Sequence, residues 1–513
     1  HFLAAPVGLM ACQFVSVDSH VIRRMCFMGY AQERISMVRW MVSGSMRWIV
    51  LMVACVAIVG CDKDDSRRAD PAAETAFSLV QVINAMVDAP ALVVTFDFPD
   101  DAGFEIIELT TIEAFRQISP TNTIEVGTAT LNVTHTHPIT GLAVTLIPDT
   151  SVSFGEGMIH IVVLTGTYDD PSFQLFVKEL GDLDDVDVTD TELQIINISA
   201  VAADVYLEDP DSTTGAPRAS LAAGASTDPF RLDADPVYEF YVTMPGEATR
   251  LYDAGTAQFF RRSRAMLVVH DDPRGPGVAA FIAGQSGVVL EQPNLAAGPR
   301  LRFTNLWPDE SVGVEIREPF ADTLIRNLTV DPLATSDYVA MDADTVFYEI
   351  TVTPASPVLP ELRSIISLDE DSYYTFAIHG DVADGELTTR SFTVDERPVS
   401  TTTNVQFING AKLIQVIDQD TEVPINLSFY LLSAGESIDD SPPVSSNIGF
   451  LRMVATRVAA EPAVLVVTTT GTRDIVAGPT AVQLDDKASV LISIAEAPGG
   501  GTPLQVTIST RGE

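Results

Sequence analysis

Cysteine is confined to the first 61 of the 513 residues, as Cys12, Cys26, Cys55 and Cys61. No disulfide can therefore staple the rest of the chain, and each domain there must be large enough to stand on its own core. Lysine is scarce as well: after Cys61 it occurs only as Lys63, Lys178, Lys412 and Lys487. From Asp62 onward 68 acidic residues face 25 basic ones, a net of −43. Such a body repels nucleic acid, whose phosphates require clustered Lys and Arg, and Arg261, Arg262 and Arg264 form its one tight basic cluster in sequence. The acidity reads as solubility in a salty medium, with divalent cation binding as the alternative. Missing too are long runs of Ala, Leu, Glu and Lys at helical spacing. Short stretches of Thr, Val, Ile and aromatic residues broken by Gly, Pro and Asp stand in their place and predict an all-β body. Enzyme signatures are absent. Gly284-Gln-Ser286-Gly287 has the wrong spacing for a nucleophile elbow, and Gly499-Gly-Gly501 lacks the Lys-Ser/Thr that would follow in a phosphate loop.

The N-terminus carries an address. From Met37, Arg39 and Arg47 precede the apolar run Trp48–Gly60, which ends at Cys61. Positive charge, a short apolar core and a small residue make residues 37–60 a signal peptide. As a helix, Ile49–Gly60 would rise only about 18 Å, short of the roughly 30 Å of bilayer hydrocarbon. Ile58-Val59-Gly60-Cys61 resembles the bacterial lipobox. The resemblance implies diacylglycerol on the Cys61 sulfur and cleavage before that residue, with several acyl chains anchoring the chain to the cell envelope. Which membrane, and whether the periplasmic or surface side, stays open. Residues 61–76, opening on the polar stretch Asp62–Pro71, serve as tether. Residues 1–36 read as an over-extended reading frame ahead of a start at Met37, Met41 or Met46.

Four copies of one unit organise the remainder. A short β-like run ending in asparagine recurs as Leu79–Asn84, Leu193–Asn197, Leu301–Asn305 and Val405–Asn409, and Asn84, Asn197, Asn305 and Asn409 lie 113, 108 and 104 residues apart. A second landmark, Val152–Phe154, Gln258–Phe260, Ile366–Leu368 and Val482–Leu484, ends 63 to 75 residues after each asparagine and is followed by a polar turn and another strand. The period is that of one β-sandwich. Units at 77–190, 191–298, 299–402 and 403–513 follow. In the opening run Leu79, Gln81 and Ile83 face one way and Val80, Val82 and Asn84 the other, which predicts a half-buried strand. The asparagine amide, where that strand ends, is expected to bond neighbouring backbone and hold a turn. Ala85–Pro90 and Leu306–Glu310 carry turn formers after the asparagine, and here the units resemble domain of unknown function 4397, a bacterial extracellular repeat. The resemblance implies immunoglobulin-like sandwiches in secreted or lipid-anchored envelope proteins and brings no binding residues with it. Four such units strung end to end would reach on the order of 100 Å, taking about 3.3 Å of strand per residue.

Two places could hold a metal. His135 and His137 are two apart on a strand, so both imidazoles are expected on the face of Leu131 and Val133, the start of a zinc or copper site that lacks a third ligand. A strand-end histidine pair without metal is the plainer reading, and His270 and His379 at corresponding strand ends read as edge positions. Asp182, Asp184, Asp185, Asp187 and Asp190 crowd the junction of the first two units, where Ca²⁺ could stiffen a joint; they do not match an EF-hand loop. No cofactor is otherwise expected. The sequence thus points to a non-enzymatic, lipid-anchored envelope protein with a structural, adhesion or ligand-binding role. Its partners would be the membrane and an envelope polysaccharide or protein. A metal-dependent hydrolase built on sandwich loops and a calcium-stiffened adhesin are the alternatives.

Overall fold

The computed structural model describes residues 77–98, 107–108, 115–179, 186–209, 215–275, 277–319, 323–343, 345–382, 384–418 and 421–511. Cys61, Asp182, Asp184 and Asp185 lie outside them. Thr75–Glu513 form one compact unit, and its described part is all-β, without a helix.

Each repeat opens with a strand that ends on its asparagine: Phe77–Asn84, Asp190–Asn197, Arg300–Asn305 and Thr402–Asn409. Each opening strand pairs in parallel with the strand after the second landmark, namely Met158–Gly166, Ser263–Asp271, Tyr373–Asp381 and Ser489–Ala495. The register repeats, with Asn84 opposite Leu164, Asn197 opposite Val269, Asn305 opposite Ile378 and Asn409 opposite Ile494. Parallel neighbours cannot be joined by a tight turn. The chain between them therefore crosses over and builds a second, four-stranded antiparallel sheet in every repeat. Between the two sheets lies a separate apolar core, such as Val80 and Val82 against Val94, Phe96 and Leu131 in the first repeat, with counterparts in the other three. In the third repeat Gly380 lies under the buried Trp307 ring, where an added Cβ would sit 2.4 Å from ring atoms.

The opening strands depart from the half-buried expectation. Val80 and Val82 point into their own core as the alternation requires, yet Gln81 and Ile83 on the other face are also fully buried. The reason is a neighbouring sandwich. Ile83, Ile161 and Val163 of the first repeat pack against Ile196, Met266, Val268 and Phe281 of the second in one continuous cluster. The third and fourth repeats repeat the arrangement with Leu306 and Ala377 against Ile408, Leu451 and Leu491. This second interface is more polar: Arg302 Nη2 donates to Gln406 Oε1 at 2.6 Å, and Gln406 Nε2 donates to the buried Glu396 at 3.2 Å.

Nor are the sandwiches strung out. The Arg274 guanidinium of the second repeat bonds the Asp371 carboxylate of the third and also its carbonyl, at 2.7 Å. The connection into the fourth repeat returns to the first, where Ser400 donates from its N–H to the Asp88 carbonyl at 2.8 Å and from Oγ to the Asp88 carboxylate at 3.1 Å. Lys487 adds ion pairs to Asp88 at 3.0 Å and Asp169 at 2.9 Å. Outer faces this apolar are not left in water, so pairing faces and closing the chain on itself replaces the extended array.

Fully burying one Val, Ile or Phe side chain contributes roughly 1.5–3 kcal/mol, and the interface between the first two repeats holds several. Val268→Asp, which places a carboxylate in that cluster with no partner, is expected to cost roughly 3 kcal/mol or more and to raise the radius of gyration measured by small-angle scattering as the first two sandwiches part. An unchanged radius and melting temperature would contradict a shared core.

Candidate functional site

The four asparagines do the same local work. Each sits fully buried, with Oδ1 accepting from the N–H two residues on: Met86 at 3.2 Å, Ser199 at 3.1 Å, Trp307 at 3.0 Å and Ala411 at 3.0 Å. That is an Asx turn. The amide Nδ2 reaches across to carbonyls of the returning chain, Val201 at 2.8 Å for Asn197, Glu310 at 2.8 Å for Asn305 and Ile448 at 3.0 Å for Asn409. In Asn197, Asn305 and Asn409 both ends are thus committed to backbone, and these amides hold the top of their sandwiches rather than face a ligand. Across the turn stands a residue in the left-handed region: Arg116 (φ 67°), Gly224 (75°), Leu333 (58°) and Leu451 (47°). In the first, second and fourth repeats its N–H donates to the asparagine carbonyl, at 2.7–2.8 Å.

His135 and His137 come together, with ring centroids 6.3 Å apart. His135 shares the inward face of Leu131 and Val133 and is buried, whereas His137 lies just past the end of the strand Gly127–Thr136. His135 Nε2 meets the Tyr168 hydroxyl at 2.9 Å, and His137 Nδ1 accepts from the Ile139 N–H at 3.2 Å. Burial, with a smaller push from His137, lowers the pKa of His135. Among the described residues no three His, Cys, Asp or Glu side chains gather around one point. Of the acidic cluster, Asp187 pairs with Arg231 at 3.5 Å, and Asp190 accepts from the Thr189 hydroxyl at 3.2 Å.

His270 and His379 are not edge positions; both are buried between sandwiches. His270 Nδ1 lies 2.6 Å from the Asp271 carbonyl and so carries the proton, which leaves Nε2 to accept from Arg116 Nε at 3.2 Å. Burial and the neighbouring Arg116 hold its pKa well below the ordinary value, so the ring stays neutral and keeps that acceptor. His379 packs edge-on to Phe450 of the fourth repeat, centroids 4.9 Å apart; burial, helped by Lys412 and opposed by Asp381, lowers it to about 4.

Cavities also lie where the sandwiches meet. Two adjoining cavities, of about 580 and 720 Å³, share Pro273 and Arg274 in their walls. The smaller takes Arg116 from the first repeat, Arg274 and Glu291 from the second, Asp395 and Arg397 from the connection after the third, and Arg457 from the fourth. Arg116 pairs with Glu291 at 3.2 Å and Arg457 with Asp395 at 2.7 Å. Arg397 donates to the Val87 carbonyl at 3.1 Å and, with Arg116, stands against the buried Phe115 ring at 5.3 and 5.0 Å from its centroid. This arginine group was not legible in the sequence, where its members are spread from residue 116 to 457 and none adjoins another.

No protein-family model matches the chain, and no curated protein matches it in sequence. Among solved structures it is similar to the TIE protein of Bacillus anthracis, at 10% identity and a TM-score of 0.15, over 88% of this chain and 79% of that one. It is also similar to a putative cell adhesion protein from Bacteroides eggerthii (8% identity, TM-score 0.11, 42% and 96% covered). The full-length RrgB pilus protein of Streptococcus pneumoniae is a third (10%, 0.11, 72% and 75%). Scores this low carry no argument about role.

Two outcomes test these placements. Asn305→Leu keeps the volume but strands backbone carbonyls at 2.8–3.3 Å, and is expected to cost about 1–3 kcal/mol in chemical denaturation; a neutral variant would mean the turn does not need the amide. For His379, the unfolded chain takes up its proton near pH 6.5 and the folded chain only at about 4. The unfolded state therefore binds more protons as pH falls between these values, and stability is lost over that window. The melting temperature is expected to drop from pH 6.5 to 5 and to drop less in His379→Gln, with a level profile in the wild type contradicting the assignment.

Proposed function

We propose that the protein is a non-enzymatic cell-envelope protein, tethered by acyl chains on Cys61, whose four sandwiches act together as one rigid head for adhesion, display or binding. The observation that supports this reading is the closed packing. Two sandwich pairs share buried apolar faces, and Asp88, Ser400 and Lys487 join the ends of the array, so the head presents a fixed surface rather than a flexible string. The repeats' resemblance to domain of unknown function 4397, carried by the asparagine and the turn that follows it, agrees with an envelope setting. A lipid tether on Cys61 followed by the short tether of residues 62–76 would hold such a head close to a bilayer, and the strong negative charge beyond it would keep the head soluble and off anionic lipid surfaces.

Expressed in a bacterial host, the wild type is expected to sediment with membranes and to incorporate labelled palmitate, and Cys61→Ala to enter the soluble fraction unlabelled. Membrane association that survives the substitution would remove the anchor from this reading.

A further inference from the structure

We infer that the smaller junction cavity is a binding site for a compact organic or inorganic polyanion, gripped by Arg116, Arg397 and Arg457 from three different parts of the fold. The sign of its charge is the first reason. In a body with a net of −43, this cavity gathers four arginines against Glu291 and Asp395. Those two carboxylates are 55% and 66% exposed, so they sit at the rim, where a solvated ion pair contributes little, and can turn aside. Arg274 is already spoken for by Asp371 and Asp272. Arg397 makes no ion pair among the described residues.

The arginines are also placed at a cost that the fold does not demand. Arg116 takes the left-handed backbone position that Gly224, Leu333 and Leu451 fill in the other repeats, so the position needs that backbone geometry and not a guanidinium. Its Nε is fixed by the buried, neutral His270, which aims the side chain from the first sandwich into the junction. Burial, and then Arg457 and Arg116, press Arg397 to a pKa of about 10, with Asp395 and Asp88 opposing them only in part. Like charges driven together in a partly buried space oppose folding unless an anion offsets them. Guanidinium groups flanking one aromatic ring present flat, forked donors suited to carboxylate or phosphate oxygens, and a cavity of about 580 Å³ lies in the size range of small-molecule sites.

His270 is a positioning residue here, acting through Arg116.

Binding to the full chain in detergent is to be measured by calorimetry and thermal melting at constant ionic strength, with citrate and with pyrophosphate as probes. One anion per chain is expected to bind with a sub-millimolar Kd and to raise the melting temperature, and the stronger of the two arms identifies a carboxylate or a phosphate ligand. Arg397→Gln and Arg457→Gln are each expected to weaken binding at least tenfold, while Arg473→Gln, remote from the cavity beside Tyr430, leaves it unchanged. Arg457→Gln guards against misfolding of the more buried variant. Failure of both anions to bind, or equal binding by the wild type and both cavity variants, overturns the proposal; neither result bears on the lipid tether.

Discussion

The architecture depends on one constraint: every opening strand is buried on both faces, and a single sandwich can cover only one. Val80 and Val82 are satisfied by their own core, but Ile83, with Ile161 and Val163 beside it, needs a second surface. The matching surface of the next repeat, Ile196, Met266 and Val268, has the same need. Pairing the two satisfies both, and because the pairing uses the sheet that carries the parallel strands in each repeat, it brings those sheets face to face. Once two such pairs exist, the remaining contacts at Arg274–Asp371 and Asp88–Ser400 close the array around its centre.

The third and fourth repeats solve the same problem with a different chemistry. Arg302 replaces the glutamine found at the corresponding strand position of the other repeats, and it brings Glu396, Gln406 and Tyr338 into a buried network. A buried ion pair of this kind adds little net stability over apolar packing and is costly to break. Its effect is on specificity, since a carboxylate and a guanidinium will meet in one register and no other. That distinguishes the polar interface from the apolar one and favours each sandwich finding its own neighbour among four similar ones.

Much of the fold was legible in the sequence because the signals were local. Period-two alternation marked the opening strands, and the asparagine at the end of each marked a turn, since an amide can serve both a donor and an acceptor on nearby backbone. What was not legible was long-range. Gln81 and Ile83 read as a solvent face because nothing near them in sequence says that residues around 196 and 268 will cover them. His270 and His379 read as edges for the same reason. Asp88 read as a turn former, which is compatible with its position, but its carboxylate accepts from Ser400, more than 300 residues away. The arginine cavity is the extreme case: it exists only because four sandwiches meet, and no window of sequence contains two of its arginines.

The Asp88–Ser400 contact spans 312 positions of the chain, and contacts of such separation form late because the intervening chain must be ordered first. A polypeptide delivered from its N-terminus emerges with the Asp88 corner unpaired, and that corner waits through the appearance of two whole sandwiches before its partner arrives. The cavity that takes Arg116, Arg397 and Arg457 into its walls is therefore complete only once the last sandwich, which carries Arg457, has been made.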